Sequence, residues 1–123
     1  MAHGLTITTV NIGAPDPGAL ATFYRRLLGF ETRAEEPHWV LLEDPEGGVA
    51  LSFQTEEHHT PPVWPAGPGD PQMMLHLEIR VDDLESATAH AVACGATLAD
   101  FQPQDDVRVC LDPAGHPFCL WLG

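Results

Sequence analysis

The chain contains no lysine. Its basic residues are five arginines, Arg25, Arg26, Arg33, Arg80 and Arg108, set against eighteen acidic residues for a formal net charge of -13. A chain this poor in positive charge has no basic stripe to follow a phosphate backbone or an anionic bilayer, which argues against nucleic acid and membrane partners. Long apolar runs are also missing, and nothing approaches the ~20 residues of a membrane span. Cysteine is sparse and odd in number, Cys94, Cys110 and Cys119, without paired spacing. Together with the lack of a signal-like start, this predicts a reduced, cytoplasmic protein. What is present suits a folded chain: 44% of the 123 residues are hydrophobic, enough to build a core. The length predicts one domain over 1–123, although either half alone would be marginal.

The two halves repeat each other. Thr9-Val10-Asn11-Ile12 leads through Pro15-Asp16-Pro17 into an apolar-periodic helix that stops at Gly29, and His76-Leu77-Glu78-Ile79 leads through Asp82-Asp83 into another that stops at Gly95. The offset is 67 between Thr9 and His76 and 68 between the turns Asp44-Pro45 and Asp112-Pro113. The repeat spans 5–56 and 73–122, and a proline-rich segment at 60–71 joins the copies.

Within each copy, strand, helix and three strands succeed one another. Asp16 caps the first helix with Pro17 at its first position, and Leu20, Phe23, Tyr24, Leu27 and Leu28 form its inner face. Asp82 or Asp83 caps the second, which turns Leu84, Ala87, Thr88, Ala91 and Val92 inward. Strands are predicted at 6–13, 30–33, 38–43 and 49–54, then at 74–81, 97–101, 106–111 and 117–122. The fold class is α+β: two βαβββ modules forming curved mixed sheets with helices on the convex faces.

Strand alternation sorts the side chains by face. Val10, Ile12, Leu75, Leu77, Ile79, Phe118, Leu120 and Leu122 would lie under the helices. Thr9, Asn11, His76, Glu78, Cys119 and Trp121 would line the opposite face, and the 68 offset adds Leu51 and Phe53. A face mixing polar groups with aromatics is a candidate ligand site, and Trp64, in the stiff proline-rich segment, is placed to close its rim.

These motifs resemble the vicinal oxygen chelate superfamily, the glyoxalase / bleomycin resistance / extradiol dioxygenase group. The resemblance rests on the Phe23-Tyr24 pair before Leu28-Gly29-Phe30, on His76-x-x-x-x-Val81-x-Asp83-Leu84, and on Asp112-Pro113-x-Gly115-x-Pro117-Phe118. Phe53-Gln54, Pro62-x-Trp64-Pro65, Gln72 and His76-Leu77-Glu78 look like its glyoxalase-like domain branch. The resemblance implies a metal held by four residues facing a cup, here at Thr9, Leu51, His76 and Cys119. Only His76 matches in type. Glu78 is a substitute donor on the same face, but it stands two residues on from His76, ~7 Å along a strand. No cofactor is therefore expected, and a divalent metal is the subordinate reading.

Two functions follow. The first is a metal-free small-molecule-binding protein that sequesters a cationic or aromatic compound, using Phe53, Trp64 and Trp121 for stacking and Glu78 for charge. The second is a lyase, isomerase or dioxygenase-type enzyme with an atypical metal site or acid–base chemistry at His76 and Glu78. Open sheet edges further predict a homodimer.

Overall fold

The computed structural model describes residues 3–123, in two compact units that divide between His59 and Thr60. The first contains β1 (Thr9–Ala14), α1 (Pro17–Leu28), β2 (Glu31–Glu36), β3 (Trp39–Glu43) and β4 (Ala50–Thr55). The second contains β5 (Leu77–Val81), α2 (Leu84–Cys94), β6 (Thr97–Leu98), β7 (Val107–Leu111) and β8 (Pro117–Leu122). Each is a βαβββ module with a four-stranded sheet, ordered β1-β4-β3-β2 and β5-β8-β7-β6. The last strand of each module returns parallel beside its first, and the remaining pairs are antiparallel. The proline-rich segment belongs to the second unit.

The helices begin and end where the capping residues dictate. The Oδ1 of Asp16 accepts the N–H of Ala19 at 3.1 Å, and Gly29, at φ 72°, donates its N–H to the carbonyl of Arg25. That left-handed conformation is cheap for glycine and costly for a side chain. In α2 the cap is Asp83, whose carboxylate accepts the N–H of Glu85 at 3.1 Å. The Asp-Pro turns are also built alike. Asp44 accepts the N–H groups of Glu46 and Gly48, while Asp112, with its side chain fully buried, accepts those of Ala114 and His116 and the His116 ring nitrogen.

Each helix covers one face of its own sheet. In the first unit Leu20, Phe23 and Tyr24 pack over Val40, Leu42, Leu51 and Phe53, all buried. In the second, Ala91 lies over Cys110, Phe118 and Leu120, also buried. The expected inner face needs correction at three places. Leu75 is 86% exposed, Val92 49% and Leu122 42%. Leu75 precedes β5, whose partner strand starts at Pro117 and brings no N–H for an earlier ladder bond. The strand expected at 97–101 stops at Leu98 because a side chain takes over its pairing. The Gln102 amide accepts the N–H of Val109 at 3.0 Å and donates to the carbonyls of Val109 and Ala99. No helix among the described residues is long and apolar enough to cross a membrane.

Phe53 is fully buried, with its ring stacked on Tyr24 at 5.7 Å and 18°. Phe53→Ala is therefore expected to lower unfolding free energy by ~3–5 kcal/mol in urea titrations, with Phe53→Leu costing much less.

Candidate functional site

The site is set by a single register. The parallel pairing of β5 with β8 places Glu78 beside Cys119 and Arg80 beside Trp121. Side chains alternate along a strand, so these four share the face opposite α2, while Phe118 and Leu120 point beneath the helix. His76 stands one residue ahead of β5, and its Nε2 donates to the Glu78 Oε2 at 2.6 Å. The expected separation of the pair is thereby corrected. His76 lies outside the strand, so its ring is free of the strand's pitch and folds back onto the carboxylate.

A second donor reaches the same carboxylate. Cys119 is 3% exposed. Burial, the Glu78 charge, the hydrogen bond its thiol donates to Glu78, and Cys110 together push its pKa up to about 12. The thiol stays protonated at neutral pH and is an unreactive donor there. Glu78, its side chain 54% exposed, is thus held between an imidazole and a thiol while presenting the rest of its carboxylate outward. One nitrogen, oxygen or sulfur atom from each of His76, Glu78 and Cys119 lies within 4.8 Å of the others.

Aromatic rings complete the arrangement. Trp64 sits 4.7 Å from the His76 ring at a tilt of 34°, and 5.4 Å from Phe101 at 64°. Its loop is closed by the Val63 N–H on the Pro71 carbonyl, a bridge from Val63 to Gln72, and the Asp70 carboxylate on the Gly67 N–H. Trp64 is therefore placed beside the polar cluster by a cross-braced loop. Phe101 was not singled out from sequence. Its only signal is that it is an aromatic residue just before Gln102, which ends the strand pairing.

The first unit's candidates part company. Asn11 and Thr9 lie on the face opposite α1, where Asn11 Nδ2 donates to Ser52 Oγ at 2.7 Å. Leu51 and Phe53 face α1 instead and are buried in its core. Their placement on the ligand face is corrected by the register: the first module has one more residue between its turn and β4. Gly47 leads to Ala50, whereas Gly115 leads to Pro117. The offset thus falls from 68 at the turns to 67 in the strands, and the counterpart of Cys119 is Ser52. Thr9, with Thr8, Arg33, Glu43 and Asp44, borders a cavity of about 290 Å³ in the first unit. A shallow groove of about 690 Å³ runs along α2 past Leu84, Thr88, Val92 and Arg108. Neither cavity is lined by His76, Glu78 or Trp64.

Of the four metal slots implied by resemblance, the two in the first unit, Thr9 and Leu51, do not fit a metal. Thr9 is a hydroxyl, and Leu51 is an apolar side chain buried against α1. Ser52, which the register makes the counterpart of Cys119, is another neutral hydroxyl, already engaged by Asn11. The three donors of the second unit are of a suitable kind, one each of nitrogen, oxygen and sulfur.

Residues 9–121 match the family described as glyoxalase-like domain. Solved structures share the fold along nearly the whole chain. A glyoxalase/bleomycin resistance protein/dioxygenase family enzyme from Burkholderia phytofirmans PsJN is 22% identical, covering 96% of this chain and 98% of its own, at a TM-score of 0.73. The glyoxalase family protein from Enterococcus faecalis is 23% identical over 98% and 99% of the two chains, at 0.70. A glyoxalase/bleomycin resistance protein from Albidiferax ferrireducens T118 is 17% identical over 94% and 97%, at 0.65. No curated protein matches the sequence.

The thiols yield a direct prediction. Cys94 is partly exposed, while burial lifts Cys110 to about 11 and Cys119 to about 12. Alkylation of the native protein at pH ~8, followed by peptide mass spectrometry, should label Cys94 well ahead of the other two. Glu78→Gln should speed labelling at Cys119 without bringing it to the rate of Cys94, because burial is the larger cause. Both buried thiols have folded pKa values above the unfolded value of 9.0. Their contribution to stability is therefore complete below that pH and is lost as pH rises towards 12. Urea midpoints measured between pH 8 and 11 should fall, and fall less in Cys119→Ser.

Proposed function

The chain belongs to the glyoxalase-like domain family of the vicinal oxygen chelate superfamily, and from that premise we propose that it is a small-molecule-binding protein that sequesters an aromatic cation. The observation that carries the reading is the Glu78 carboxylate, held by His76 and Cys119 beside the Trp64–Phe101 pair. A fixed carboxylate supplies a charge-assisted hydrogen bond or ion pair, and an indole face attracts a delocalised cation. Both are directional, and neither needs a metal. The net charge of -13 enriches cations near the surface before any contact forms.

Asn11, Thr9 and Trp121 are proposed as further contacts on the polar faces of their own sheets. A homodimer belongs to the same proposal, supported by Leu5, Ile7, Met74 and Leu75, all more than 70% exposed, in the segments leading into the edge strands β1 and β5. A reducing, cytoplasmic setting is supported by the three free cysteines.

The test is a calorimetric titration of chelator-treated protein with aromatic cations such as 1-methylquinolinium, alongside neutral isosteres such as 1-methylnaphthalene. The cation should bind more tightly. Glu78→Gln should weaken it about ten- to hundredfold, equivalent to ~1.4–2.7 kcal/mol, and Trp64→Ala should weaken both ligands. Equal affinities for cation and isostere, unchanged in Glu78→Gln, would refute the reading. Light scattering at micromolar concentration should give twice the 13.3 kDa chain mass.

A further inference from the structure

We propose that His90 and Cys94, on the last turns of α2, form a two-donor chelate for a thiophilic divalent cation of the zinc class. The pair lies on the helix that covers the opposite face of the sheet from Glu78, and the inference is independent of the functional reading.

The helix supplies the geometry. Residues four apart on an α-helix project from the same side, one turn above the other. His90 is exposed and Cys94 partly so, and Nε2 of the ring stands 3.8 Å from the sulfur. A tetrahedral zinc ion holding nitrogen at ~2.0–2.1 Å and thiolate sulfur at ~2.3 Å separates those two ligand atoms by about 3.6 Å. The side chains therefore stand close to chelating positions before any ion arrives. The same spacing puts the two histidines of a His-Glu-x-x-His helix on one zinc ion.

The helix end also favours a cation. The carbonyls of a last turn carry partial negative charge. Arg25 and Arg26 complement that charge in α1, whereas the last turn of α2 has no basic residue. A divalent ion on a neutral imidazole and a thiolate keeps one positive charge, and it would lie at that end. The thiol proton passes to solvent as the sulfur binds, and water fills the remaining coordination positions. A donor pair of nitrogen and sulfur selects zinc over magnesium and calcium, which take oxygen ligands. The chelate would also tie one turn to the next in a helix whose buried side chain is Ala91.

The experiment reads each donor through the other, on full-length protein stripped of metal. The first reading is alkylation of Cys94, followed by peptide mass spectrometry. Submillimolar zinc should slow it about tenfold by occupying the thiolate, magnesium should leave it unchanged, and His90→Ala should remove most of the protection. The second reading is the His90 Nε2 resonance in a long-range proton–nitrogen spectrum. Zinc should shift it in the wild-type protein and leave it in place in Cys94→Ser. Both donors lie at the helix surface, and circular dichroism checks that each variant keeps its fold. The proposal is overturned if millimolar zinc leaves Cys94 labelling unchanged, if magnesium protects as well as zinc, if protection persists in His90→Ala, or if the His90 shift persists in Cys94→Ser. The organic-cation titration is run with chelator present and follows Glu78, so its failure bears on the functional reading alone.

Discussion

The parallel return of the last strand beside the first is the constraint on which the rest of each module depends. A β-strand offers its side chains to alternate faces, so one residue of slip would exchange every inward group for an outward one. In the second module the pairing of Leu77 with Phe118 puts an apolar pair beneath α2, and the next pair, Glu78 with Cys119, on the open face. In the first module the same pairing sets Ile12 with Phe53 and Asn11 with Ser52. The two modules thus carry one design with different chemistry. The first ends in a neutral hydroxyl–amide contact, and the second in an imidazole, a carboxylate and a thiol.

Much of this was legible in the chain because local rules and the repeat agree. Asp16 with Pro17 and then Gly29, and Asp83 with Gly95, mark helix ends by satisfying backbone groups that have no partner within the helix. Two equal half-length patterns require two equal sheets. The last strand, Pro117–Leu122, falls where alternation and the preceding turn put it. The α+β class and the family both follow from these signals.

What was not legible depended on long-range register or on side chains outside regular elements. Leu51 and Phe53 were assigned with the turn offset of 68 rather than the strand offset of 67, and that single residue moved two apolar side chains to the wrong face. The 67 offset between Thr9 and His76 contained the correct answer. The contact between His76 and Glu78 was hidden for another reason. Strand spacing holds only within a strand, and His76 precedes β5. The approach of Trp64 to Phe101 joins a proline-rich loop to the irregular segment that follows the short strand β6, and no sequence period links such segments. Gln102 shows the same limit, since a side chain substituting for a strand leaves no periodic trace.

Glu78 is the group on which the chemical account turns. It is a partly exposed carboxylate whose direction is fixed by one short contact from His76 and by a buried thiol that stays protonated. Fixing its direction beforehand reduces the entropy lost when a partner binds. The most direct measurement is a long-range proton–nitrogen correlation spectrum of the His76 ring, recorded for the wild-type protein and for Glu78→Gln. The account predicts a proton on Nε2, shifted downfield and protected from solvent exchange, that loses both properties in the variant. A ring carrying its proton on Nδ1, or a spectrum unchanged by Glu78→Gln, would contradict it.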